Sequence, residues 1–200
     1  MGTLIKVLII LSISIGLLNG SNLVNQKVYN KKSKEYYLKY KDEWAKLPEA
    51  NKKRIIKAFK MSQKDNLGFT FAATKFLENR GQDTSYSNKK SIGKNIHKGY
   101  VTYDCGAYGI NTMTYLKSIN KETKSHGAHI AACKKLASDY KLNLKMAKQV
   151  YNYALDRYNG DILKSWNYYN TGRDRLINDR VFKMRGFILV LKEELKNKKS

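Results

Sequence analysis

The sequence predicts a mainly α-helical domain with a small loop or strand region in its middle. Three observations carry this expectation. Apolar residues recur at i, i+3, i+4 and i+7 over residues 69–77, and helical spacing returns over much of 126–195. Proline, the strongest helix breaker, occurs once, at Pro48. The stretch between these patterns, residues 81–100, is rich in Ser, Asn, Gly and Lys and sustains no period. With 42% hydrophobic residues among 200, the chain can bury a proper core rather than stay disordered.

The elements follow in order. Lys6 precedes an apolar run from Val7 to Leu18 and then the small polar residues Asn19, Gly20 and Ser21. That run is short for a membrane span and has the shape of a secretory signal peptide, residues 1–20, with cleavage near Gly20 or Ser21; an uncleaved anchor is the alternative. No cysteine follows it, which argues against a lipoprotein anchor. Residues 25–43 are rich in Lys and Tyr without clear periodicity, so residues 21–65 are expected to form a loosely structured or separately packed lead-in and a first helix. That helix begins at Pro48 and carries Ile55, Ile56 and Phe59.

Residues 66–200 are expected to form the main domain. Its first helix, Phe69 to Arg80, has apolar residues at 69, 72, 73, 76 and 77 and is stopped by Gly81. Glu78 lies nine residues after Phe69, about 180° from the centre of that stripe at about 100° per residue. It is therefore expected to face away from the core, where a carboxylate at the end of a buried helix can line a cleft. Downstream, His126, His129, Ile130, Cys133, Leu136 and Tyr140 share one face, and Ala147, Val150, Tyr151, Ala154, Leu155 and Tyr158 share another. Asn159 and Gly160 end that second helix, and Asp161 can cap the next, which carries Ile162, Leu163, Trp166 and Tyr169. Leu176 to Leu195 forms the last, strongly apolar segment.

Charge narrows the partners. The chain holds 39 Lys plus Arg against 16 Asp plus Glu, a formal net charge of +23, which favours an anionic polymer. The export signal points to anionic polymers of the cell envelope rather than to nucleic acid, although scattered lysines also suit a merely solvated surface. Cys105 and Cys133 are an even pair in a chain expected to be exported, consistent either with one disulfide or with two buried thiols. His126, His129 and Cys133 do not follow a zinc-ligand spacing, and no cofactor or metal is expected. A nucleophilic Cys105 with His97 or His126 lacks a visible orienting residue.

Three ordered blocks then carry a resemblance. Phe76-Leu77-Glu78-Asn79 resembles the helix-ending Glu-Ser or Glu-Asn of lytic transglycosylases and lysozymes. Tyr103 to Asn111 looks like the D-x-G-x-x-Q-I-N segment shared by lysozymes and the specialised transglycosylases of secretion and conjugation systems. Trp166 to Gly172 is similar to the A-Y-N-A-G block of the transglycosylases, and the preceding Tyr158-Asn159-Gly160-Asp161 resembles their Y-x-G-D turn. The chain departs from the pattern at Gly109, where the family carries glutamine; in another register, Gly106 to Ile110 matches a G-A-x-G-L segment.

The resemblance implies an α+β lysozyme-like fold with a cleft, binding peptidoglycan glycan strands and cutting the β-1,4 bond between N-acetylmuramic acid and N-acetylglucosamine. It implies Glu78 as the catalytic acid, Asp104 as a second carboxylate if the reaction is hydrolysis, and Tyr108, Ile110, Asn111, Tyr169 and Asn170 as substrate contacts. Asp83 is a weaker second candidate. A lysozyme-type hydrolase and a non-catalytic cationic envelope-binding protein are the alternatives. Secretion, conjugation or phage machinery is the expected setting.

Overall fold

The protein is seen as a computed structural model that describes residues 23–88, 92–97, 99–172 and 179–197; the expected export segment, 1–20, lies outside them. Among the described residues are eight α-helices and one small antiparallel sheet, so the mainly α expectation holds. The helices are α1 Leu23–Lys46, α2 Glu49–Ser62, α3 Gly68–Asn79, α4 Thr112–Ser118, α5 His126–Ser138, α6 Tyr140–Arg157, α7 Ile162–Thr171 and α8 Asp179–Asn197. The strands are β1 Gly93–His97, β2 Tyr100–Cys105 and β3 Ile110–Asn111, in the order β1-β2-β3. No helix among the described residues is long and apolar enough to cross a membrane.

The lead-in is not loose. Residues 25–43 fall within α1, which lies along α8. Ser33, Tyr40 and Trp44 are buried at helical spacing, and Tyr36 packs beside them. Aromatic residues on and beside this stripe reach out to α8 with their polar tips. Tyr36 donates to Asp179 (2.7 Å), Tyr37 to Glu193 (2.6 Å) and the Trp44 indole to Glu194 (3.1 Å). A side chain at Gly186 would meet Tyr36 Cβ at 2.5 Å, so this close approach of two helix backbones requires glycine there. Packing therefore runs across residue 65, and Tyr40, Trp44, Phe76 and Phe187 belong to one core.

α3 is the centre of that core. The sequence predicts an amphipathic helix, but Gly68 and every residue from Thr70 to Phe76 are buried, so the helix is enclosed on all sides. Phe76 stacks on Phe187 with ring centroids 3.8 Å apart, and Phe71 meets Tyr108 edge to face at 5.3 Å. The polar members are satisfied: Thr74 donates to the Thr70 carbonyl (2.9 Å), and Thr70 accepts from the Trp166 indole (3.3 Å).

Arg80, rather than the expected Gly81, takes the first left-handed position after α3 (φ 52°). Its guanidinium pays for that conformation by binding Glu43 (2.8 Å) and lying 4.3 Å over the Phe76 ring. Gly81 follows at φ 72°, where a Cβ would stand 2.5 Å from the Asn51 carbonyl.

The remaining caps match local chemistry. Asp161 accepts from the amides of Leu163 and Lys164 (both 3.0 Å), after a break at Asn159 and Gly160 with positive φ. Tyr140 does not continue the 126–136 face, because α5 stops at Ser138 and Asp139 caps α6 by accepting from Leu142 N (2.9 Å).

Cys105 and Cys133 form a disulfide that fastens the end of β2 to α5. Closing a loop of this length contributes about 3 to 4 kcal/mol through the unfolded chain. Replacing both cysteines with alanine is expected to lower the unfolding free energy by about that amount in urea titrations. A loss below about 1 kcal/mol would show that the bridge adds little to the packing of β2 on α5.

Candidate functional site

Glu78 occupies the last turn of α3, the point where the enclosed helix emerges, and its side chain is about one-third exposed (33%). One carboxylate oxygen forms an ion pair with Arg180, which the first turn of α8 delivers. The other faces Gly109, where an added Cβ would stand 3.7 Å away. The next residue, Asn79, donates weakly to the Ala107 carbonyl (3.4 Å) and so ties the helix end to the β2–β3 turn.

That turn is fixed from three sides. Gly106 and Gly109 both have positive φ (79° and 60°), and Gly109 N donates to the Gly106 carbonyl (3.3 Å). Buried Asn143 of α6 donates to the Cys105 carbonyl (2.9 Å) and accepts from Tyr108 N (2.9 Å). A Cβ on Gly106 would lie 2.4 Å from that Asn143 amide, so glycine is what lets the clamp close. The Cys105 disulfide supplies the third restraint.

Asp104 lies on β2 opposite Gly93 on one side and Asn111 on the other. Its two oxygens accept from Asn111 (2.8 Å) and Asn95 (2.7 Å). Asn111 also donates to Thr102 (3.2 Å) and caps α4 by accepting from Met113 N (3.0 Å), so its side chain is committed to holding the sheet and the helix start. Asp83 makes a local turn with Ser85, whose amide and hydroxyl lower its carboxyl below the usual range.

Two residues expected on the substrate belong instead to the core. Tyr108 is 1% exposed with its hydroxyl paired to Tyr140 (2.7 Å), and Ile110 is 3% exposed. In a hairpin this short, alternation sends Ile110 inward once Asn111 faces Asp104. Tyr169, packed against the core from α7, donates to the Tyr108 carbonyl (3.1 Å). Burial raises its phenol well above the usual range, and the charge of Glu78 pushes the same way. Asn170 is exposed at the end of α7. A narrow crevice between α3, α7 and α8, lined by Phe71, Tyr169, Arg180 and Met184 among others, lies behind this corner.

The structure thus brings together Glu78, the Gly106–Gly109 turn, Tyr169 and Arg180. Arg180 was not legible in the sequence beyond being one of several basic residues early in an apolar segment. The competing chemistries lose their groups. Cys105 has no thiol to act as nucleophile, and Cys133 none to bind metal. His129 is fully buried between Thr112 (2.8 Å) and the Thr123 carbonyl (2.9 Å), and no group of three or more metal-ligating side chains occurs among the described residues. Compared with protein-family models, curated proteins and solved structures, the chain matches none.

One turn before Glu78, Lys75 is only 2% exposed and donates to the Gln82 carbonyl (3.1 Å), securing the loop after the helix. Burial pushes its ammonium down to about 8, with Arg54 adding in the same direction. The folded value is below the unfolded one, about 10.4, so between them the unfolded chain binds more protons and stability rises with pH. Unfolding free energy is expected to rise by about 1 to 2 kcal/mol from pH 8 to pH 9.5 relative to Lys75→Met. Parallel pH profiles for the two chains would contradict this.

Proposed function

We propose that this chain is a peptidoglycan-cleaving glycosidase with a lysozyme-like arrangement, acting at the cell envelope on the β-1,4 bond between N-acetylmuramic acid and N-acetylglucosamine. One observation carries the proposal: the Glu78 carboxylate leaves the end of an enclosed helix and opens toward Gly109, with Tyr169 close enough for the Glu78 charge to bear on it. The three sequence blocks that resemble the transglycosylases and lysozymes are remote in the chain and meet at this corner.

The chemistry follows from one acid. Glu78 gives its proton to the glycosidic oxygen, the bond from that oxygen to the anomeric carbon breaks, and positive charge develops on the sugar. The resulting carboxylate takes the proton of the muramyl 6-hydroxyl as its oxygen attacks the anomeric carbon, closing a 1,6-anhydro ring. No cofactor enters. In the free chain Arg180 holds the Glu78 carboxylate, so proton donation requires the guanidinium to yield when the glycan arrives. Gly109 departs from the family's glutamine and leaves open the space that Glu78 faces, so the saccharide contacts at this corner differ from the family's.

A second reading, hydrolysis, is favoured by the setting of Asp104. Asp104 is partly exposed and held by two amide donors, a polar, hydrogen-bonded setting like that of the second acid of a lysozyme. Water would then replace the 6-hydroxyl.

Mass spectrometry of soluble products from purified peptidoglycan separates these outcomes. Anhydro-muropeptides are expected from the wild type, with release by Glu78→Gln lower by about a thousandfold and release by Asp104→Asn within about tenfold. Reducing-end products that disappear with Asp104→Asn would establish hydrolysis. No release by the wild type would overturn the reading.

A further inference from the structure

One groove on the protein is lined by lysines with few acids beside them. The end of α2 with its following turn, residues 57–65, lies beside the first half of α6, residues 140–152. The Lys57 ammonium sits 5.4 Å over the Tyr140 ring, and Lys148 donates to the Met61 carbonyl (3.3 Å) and forms an ion pair with Asp65. Between them runs a groove of about 380 Å3 lined by Met61, Leu144, Lys141, Lys145, Lys148 and neighbouring amides.

These two segments contain Lys57, Lys60, Lys64, Lys141, Lys145 and Lys148 and one carboxylate, Asp65, which Lys148 already neutralises. The nearest flanking acid, Asp139, is used as the cap of α6. The contrast with the α1–α8 side is direct: there Glu43 pairs with Arg80, Glu193 with Lys41 and Asp179 with Lys183.

Spacing gives the lysines a common direction. Lys57 and Lys60 are three residues apart on α2, Lys64 stands in the turn after it, and Lys141, Lys145 and Lys148 follow one another by four and three on α6. Each step along a helix is about 4.5 to 6 Å, so Lys141, Lys145 and Lys148 line the groove at intervals suited to a chain of phosphates, with Lys57 and Lys60 on the neighbouring helix. No aromatic residue lines the groove, so it lacks the stacking platforms with which proteins hold single-stranded bases. Its floor is Met61 and Leu144, fit for short aliphatic linkers.

We propose that the α2–α6 groove binds a linear phosphodiester polymer of the cell envelope of the poly(glycerol phosphate) type, apart from the Glu78 corner. This assignment is independent of the cleavage chemistry. The groove holds the polymer by ammonium–phosphate pairs and releases condensed counterions, so binding weakens steeply with salt.

The test is fluorescence polarisation of labelled poly(glycerol phosphate) with the full chain, with Lys60→Gln/Lys141→Gln/Lys145→Gln, and with the equally charged control Lys34→Gln/Lys117→Gln/Lys135→Gln. Circular dichroism verifies that each variant is folded. The groove variant is expected to bind about tenfold or more weakly with a shallower salt dependence, while the control stays within about twofold. Equal weakening in both variants would overturn the proposal in favour of diffuse charge. No binding by the wild type would also overturn it, as would a single-stranded DNA oligomer that displaces the polymer at lower phosphate concentration. Release of muropeptides from polymer-free peptidoglycan by the groove variant at the wild-type rate keeps this result separate from the fate of Glu78.

Discussion

A helix enclosed on every side can present chemistry only at its ends, and the arrangement of this protein follows from that constraint on α3. From Thr70 to Phe76 the helix has no solvent-facing side, because α2, α7, α8 and the Tyr108 turn press on it in different directions. Removing a large side chain such as Phe76 from such an interior costs about 3 to 5 kcal/mol, much of it through the cavity left behind. The first two turns therefore act as a rigid post, and Glu78 is held where the post meets solvent.

The opposing wall is held just as firmly, by different chemistry. The β2–β3 turn has too few residues to pack a core of its own, so it is anchored by the disulfide from Cys105 and by both polar atoms of the Asn143 side chain. Asn111 does the same for the strand beside it, serving Asp104, Thr102 and the start of α4 at once. Removing the Asn143 amide would leave two buried backbone groups without partners, a cost of about 1 to 3 kcal/mol for each group. These restraints set the distance between Gly109 and Glu78, on which a cleft at this corner depends.

Features decided by neighbouring residues were legible in the sequence. Asp161, the Asn159-Gly160 break and the helix leading to Glu78 follow from capping, left-handed turns and helical spacing, whereas Glu78 faces outward because it stands at the helix end, since Phe71, Thr74 and Lys75 on its face are buried. Features decided by partners remote in the chain were not. The stripe of α1 is not legible as one in the sequence because it is built from Tyr and Trp among lysines, and only α8 shows which face is buried. Arg180 reaches Glu78 from 102 residues away, and Asn95 meets Asp104 only through the β1–β2 register. Tyr108 and Ile110 matched a glycan-binding pattern by letter, but strand pairing turned Ile110 inward, and Tyr108 is buried in the turn with its amide on Asn143 and its hydroxyl on Tyr140.

The central claim is that blocks far apart in sequence form one glycan-binding corner around Glu78. Amide chemical shifts of Glu78→Gln protein, recorded while a soluble oligomer of alternating N-acetylglucosamine and N-acetylmuramic acid is added, test this most directly. The account predicts saturable shifts grouped at residues 78–80, 104–111 and 169–170 and at Arg180, with little change along α2 and the first half of α6. Shifts confined to other surfaces, or none at millimolar oligomer, would contradict it.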